Sequence, residues 1–196
     1  MALDIPDGPD EAASDADESL PYDIVTILAQ DADAVTYLAR DFLSTTHLAL
    51  KIVAAADVPA ILSRIHTWKP RLETLRHPGI SRLVDAGPAG TGRFYLATEY
   101  VAGSSLDYLL KHRTVPPAHR VAIARQLAEA LTAIHDQGLA HMRLDTSRIK
   151  VADSGGVRAT ILGVGSGLIV GGLSPQPELD RAALMAVCHE LGVPIP

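Results

Sequence analysis

The sequence predicts a two-lobed α+β fold, and three observations carry that expectation. Short runs rich in Val, Ile, Thr, Tyr and Leu occupy residues 22–101. Stretches with helical periodicity dominate the second half, so strands come first and helices after. A length of 196 residues with 47% hydrophobic content suits one domain divided into two small lobes.

The elements follow in order. YDIVTILAQ (22–30), AVTYLARD (34–41) and THLALKIV (46–53) read as a three-stranded antiparallel meander with polar turns between them. DVPAILSRIHTW (57–68) reads as a helix capped by Asp57, with Pro59 in its first turn. Pro70 is expected to interrupt it, because proline supplies no amide proton and clashes with the preceding turn, leaving 71–77 as a further short turn. ISRLVDAG (80–87) and RFYLATEYV (93–101) complete five strands. Helices are expected over 105–113 and 116–138, the second with an apolar stripe of Val121, Ala124, Leu127, Ala128, Leu131 and Ile134 and with Gly138 ending it. Residues 148–153 and 157–163 form a hairpin around Ser154-Gly155-Gly156, a glycine-rich stretch runs to Pro177, and 180–191 is an apolar helix.

Charge is unevenly placed. Seven of the 23 acids and none of the Lys or Arg residues fall in residues 1–20, so the body is almost neutral despite a net charge of −6. That tail lacks aromatic residues and apolar periodicity and is expected to stay disordered, either as a solvating leader or as an acidic docking arm. The charge offers no general attraction for nucleic acid or anionic lipid. With no long apolar run and no basic leader, the expectation is a soluble cytoplasmic protein without membrane contact. A single cysteine, Cys188, excludes a disulfide framework and reads as a core residue of the last helix. The eight histidines show no metal-ligand spacing, and Ser105 and Ser147 have no local His/Asp partners for nucleophilic chemistry. GVGSG (163–167) lacks the following helix and later acid that a dinucleotide fingerprint requires.

Six segments in fixed order carry a resemblance. VTYLARD with LALKIV, LRHPGISRLVDAG (75–87), YLATEYVAGSSLDYLL (95–110), LTAIHDQGLAHMRLDTSRIKV (131–151), Ser174-Pro175 and DRAALMAVCHEL together resemble a bacterial serine/threonine protein kinase of the eukaryotic-like type. The resemblance covers about 22–191 and implies a protein kinase-like domain over 21–196. It divides into a five-stranded small lobe (about 21–100) and a truncated helical large lobe (about 101–196), since several further helices of that family have no counterpart.

Phosphoryl transfer needs a phosphate cradle, a cation on the phosphates, metal ligands and a carboxylate near the substrate hydroxyl. The family's loop glycines fall at Ala29, Asp31 and Ala34, and Asp31 with Asp33 places negative charge where phosphate would lie. Lys51 remains at the position of the family's phosphate-binding lysine. It reads either as a residual anion contact or as a charge whose stem is packed while its head snorkels to solvent. Its partner glutamate position is Trp68, and Glu73 lies five residues later. In the catalytic loop His141 is kept, but Arg143 stands at the catalytic aspartate position and Arg148 at the metal-binding asparagine. A guanidinium neither accepts a proton nor ligates magnesium. The metal-binding aspartate position is Ile161, and no acid occurs from residue 154 to residue 177.

The resemblance therefore implies a degenerate, catalytically inactive kinase-like domain acting as a regulatory or protein-binding pseudokinase. Its partner is expected to be an active kinase or a signalling protein, with no catalytic residue and no metal site. ATP, bound weakly and without magnesium, would meet Lys51, the hinge at Glu99 and Val101, and Thr98 behind it. The alternative is an atypical serine/threonine kinase using Asp145 or Glu73 as displaced acids.

Overall fold

The computed structural model describes residues 20–196 other than 33, 114 and 154. The acidic tail, apart from Leu20, and Asp33 lie outside the described residues.

The β-branched runs form β1 (Tyr22–Gln30), β2 (Ala34–Asp41) and β3 (His47–Ala54), at or within one residue of the expected bounds. Helix α1 (Val58–Thr74) then carries the chain to β4 (Leu83–Pro88) and β5 (Arg93–Glu99). These five strands make one antiparallel sheet in the order β1-β2-β3-β5-β4. Alternation along β3 sends Leu48, Leu50 and Ile52 into a cluster with Leu20, Tyr22, Ala39, Tyr95 and Ala97. Val53 joins instead the main core, to which α1 contributes Ile61, Ile65 and Leu72.

Pro70 does not break α1, contrary to expectation. The helix runs through it to Thr74, with Asp57 capping the Ala60 amide as expected. His66, whose carbonyl loses its donor, is exposed, as is Pro70 itself, so water can satisfy the freed oxygen. Meanwhile buried Ile65 and Leu72 keep one apolar face continuous across the proline.

Two residues, Ser104–Ser105, form β6, which leads into α2 (Leu106–His112) and α3 (Pro117–Asp136). The buried stripe of α3 is Ile123, Ala124, Leu127, Ala130, Leu131 and Ile134; Val121, expected in it, is 55% exposed on the flank. Gly138 ends the run at φ +65°, where the Leu139 amide returns to the Ile134 carbonyl. A 3-10 turn (Thr146–Arg148) precedes the hairpin of β7 (Ile149–Asp153) and β8 (Val157–Ile161), which β6 extends to a three-stranded sheet. The glycine-rich stretch contains a short helix, α4 (Ser166–Ile169). Helix α5 (Pro177–Leu191) closes the chain and buries Cys188. One apolar cluster links α1, β4 and β5 to α2, α3, β7, β8 and α5. Among the described residues no helix is long and apolar enough to cross a membrane.

Candidate functional site

The chain segment between α3 and β7 is held from below by a buried carboxylate. Asp180, in the first turn of α5, is fully buried and accepts from the His141 and Met142 amides, both at 2.7 Å, with His135 Nε2 at 2.9 Å. A carboxylate without water requires such donors. Met142 is held at φ +70°, a conformation L-residues seldom adopt. His141 is buried, with Nε2 donating to the Leu162 carbonyl (2.8 Å) and Nδ1 accepting from the Arg143 amide (3.2 Å). Burial pushes its pKa down, the Leu162 bond opposing, and these partners suit the neutral imidazole. Sequence reasoning missed Asp180. Its signal was an acid opening an otherwise apolar helix.

Asp145 caps the 3-10 turn. Its carboxylate accepts from the Ser147 amide (2.9 Å), the Arg148 amide (3.2 Å), the Ser147 hydroxyl and the Arg148 guanidinium. Its oxygens are thereby committed to the turn. Ile161 is a fully buried residue of β8, tied through its amide to the Gly79 carbonyl (2.8 Å) and through its carbonyl to the Ser81 amide (2.9 Å). Among the described residues no group of three or more His, Cys, Asp and Glu converges on a point where a metal could bind.

Lys51 sits in mid-β3, opposite Thr36 of β2 and Leu96 of β5. Burial lowers its pKa; Asp31 opposes this, while Arg148 and Arg143 add to it. Lys51 is thus brought into one electrostatic neighbourhood with Asp31, Arg148 and Arg143. Glu73 is not brought there: it pairs with Lys69 (3.7 Å), and Lys69 also binds Asp85 on β4 at 2.6 Å. Trp68 packs against the core with Arg71 over its ring. Arg64 of α1 donates to the Ile169 and Val170 carbonyls at 2.8 and 3.1 Å, which fixes α4 to the helix.

Where the resemblance places the hinge, Thr98 is half-buried and its hydroxyl reaches the Ala49 carbonyl at 3.4 Å. The Glu99 carbonyl accepts from the Ser81 hydroxyl (2.8 Å), its amide donates to the Arg82 carbonyl (3.0 Å), and its carboxylate pairs with Arg82 (2.8 Å). One lone pair of the Glu99 carbonyl remains for another donor. Val101 is half-buried just beyond β5.

No protein-family model matches the chain. Serine/threonine-protein kinase pkn2 of Myxococcus xanthus is 35% identical over 100 residues, 50% of this chain and 12% of that protein. Serine/threonine-protein kinase PknD of Mycobacterium tuberculosis is 28% identical over 137 residues, 68% of this chain and 20% of that protein. The crystal structure of Rad53 1-466 in complex with AMP-PNP matches with a TM-score of 0.69 at 20% identity, covering 87% of this chain and 48% of that one. This is a protein kinase-like domain. Its fold is that of the kinases and its relatives include bacterial serine/threonine kinases. The kinase-like domain spans between about a tenth and a fifth of the length of the curated relatives it matches. In it, the positions that the resemblance assigns to catalytic base and metal ligands carry Arg143, Arg148 and Ile161. These residues do not fit magnesium, which takes hard oxygen ligands.

Proposed function

We propose that the kinase-like domain does not transfer phosphate and acts as a non-catalytic regulatory module, a pseudokinase. The observation that carries this reading is the use made of Asp145. Asp145, the acid nearest in sequence to Arg143, is spent on capping its own 3-10 turn and pairing Arg148. Guanidiniums and an aliphatic side chain stand where a base and metal ligands are needed. Glu73, the other acid a displaced mechanism could use, is engaged with Lys69.

A module of this kind works by binding. Its partner in this reading is a protein, either an active kinase or another signalling protein, and its compartment is the cytoplasm. Nucleotide is an optional ligand, meeting Lys51 with its phosphates and Glu99 and Val101 with its base, with Thr98 behind. The test is incubation of the full chain with γ-labelled ATP, magnesium or manganese, and generic protein substrates. The expected result is no transfer, either to substrates or to the chain itself. Metal-dependent transfer that disappears in Lys51→Met would overturn the reading.

A further inference from the structure

We propose that β1 is a self-association edge, at which two copies of the chain pair antiparallel about a two-fold axis at Thr26. This goes beyond the non-catalytic reading and stands whether or not the chain transfers phosphate.

The five-stranded sheet has two edges, β1 and β4. β4 is gripped by Lys69 of α1 at Asp85, and Pro88 ends it. β1 has β2 as its one extensive neighbour among the described residues, and every residue from Val25 to Gln30 is exposed. An uncovered edge presents unpaired amides and carbonyls to any strand that fits, and folded proteins blunt such edges with charge, proline or a bulge. Between Ile24 and Gln30 β1 carries no charged residue and no proline. It has bulges alone, where the register with β2 passes over Val25 and Leu28. A bulge leaves its extra residue unpaired. Val25 and Leu28 are accordingly 52% and 42% exposed, with Ile27 between them at 47%.

The strand is its own best partner. Thr26 is the midpoint of Tyr22–Gln30, so an antiparallel pair centred there uses the whole strand of each copy. Val25 then meets Ile27 of the second copy, Ile24 meets Leu28, Asp23 meets Ala29, and Thr26 meets Thr26. β-branched and Thr–Thr pairs stabilise an antiparallel sheet, whereas like charges set opposite each other weaken it. The single charge of the strand faces none, and its carboxylate is already paired with Arg40 at 2.6 Å. A second copy also brings this strand already ordered, without the entropy cost that a loose extended peptide would carry. The contact is isologous, so it closes at two copies and does not grow into a fibre. An interface one strand wide lies at the small end of specific contacts, below about 1,200 Å2, so the association is weak and reversible.

The test is sedimentation velocity of the full chain from about 1 to about 300 μM, a range that brackets a weak association. The wild type is expected to move from monomer towards dimer across it. Thr26→Lys and Thr26→Glu each set two like charges opposite each other at the axis, and each is expected to weaken dimerisation about tenfold or more. An equimolar mixture of the two variants is expected to recover the dimer, because opposite charges then face. Hydrogen exchange of the wild type checks the same edge without a substitution: β1 amides are expected to exchange more slowly at the high concentration than at the low one. The proposal is overturned if the wild type stays monomeric throughout, or if β1 amides exchange alike at both concentrations. It is equally overturned if either variant dimerises as readily as the wild type, or if the mixture of folded variants stays monomeric. Phosphate transfer in the labelled-ATP assay overturns the non-catalytic reading separately.

Discussion

Replacing Asp180 tests whether one buried carboxylate organises the segment that the fold family uses for chemistry. Asp180→Ala leaves the His141 and Met142 amides without an acceptor in a region closed to water. An orphaned buried donor costs about 1–3 kcal/mol, so the two amides together cost about 2–6 kcal/mol. Domains of this size are stable by about 5–15 kcal/mol, so the change consumes a large share of the total. Met142 adds to the effect, because its φ of +70° is maintained by the bond from its amide to Asp180. Asp180→Asn can keep one acceptor oxygen but presents an NH2 group to the remaining donors, so an intermediate loss is expected. The assay is urea unfolding followed by the fluorescence of Trp68, the single tryptophan of the chain, which is half-buried on α1. With a slope of about 2 kcal/mol per molar urea, Asp180→Ala moves the midpoint by about 1–3 M. A midpoint within about 0.2 M of wild type would refute the reasoning.

One further outcome concerns the sheet and another the contact of α4 with α1. Burial alone would raise the pKa of Asp85, but bonds from Lys69 and Tyr95 hold it below the usual carboxylate range. A depressed carboxylate adds stability above its unfolded pKa and loses it as pH falls through the folded value. The stability gap between wild type and Asp85→Asn is therefore expected to be full at pH 7 and to narrow below about pH 4. A gap that is constant in urea titrations at both pH values contradicts this. Gly165 has φ +90°, and a Cβ there would lie 2.6 Å from Leu72 of α1. Gly165→Ala is expected to cost about 1–3 kcal/mol through strain and collision, read as a lower melting temperature. An unchanged melting temperature would show that α4 can move away from α1 at no cost.

Elements whose signal is local were legible in the sequence. The β-branched runs placed β1 and β2 to the residue, because each reports its own pleated surface. The stripe of α3 was legible at Ala124, Leu127, Leu131 and Ile134 but not at its flank, since the rotation of a helix against its neighbours decides between Val121 and Ile123. Local rules misled at Pro70, where packing on both sides of the proline outweighed the lost hydrogen bond. The site divided in the same way. Residue types at aligned positions revealed Arg143, Arg148 and Ile161, whereas the work of Asp180 depends on amides 38 and 39 positions away. Glu73 was open to two roles in sequence, and only the helix geometry assigns it to Lys69. The two-residue β6 has no signal of its own, because its strand character comes from pairing with β7.

Helix α1 reaches in two directions: Lys69 grips β4, while Arg64 and Leu72 engage the segment that follows β8. A helix bound at both sides behaves as a strut. Moving α1 away from the segment after β8 cannot proceed freely, because it must break two hydrogen bonds from one guanidinium. Any molecule that reads the relative position of β4 and the segment after β8 from outside can therefore do so at the solvent side of α1, since movement at one end of a strut is delivered to the other.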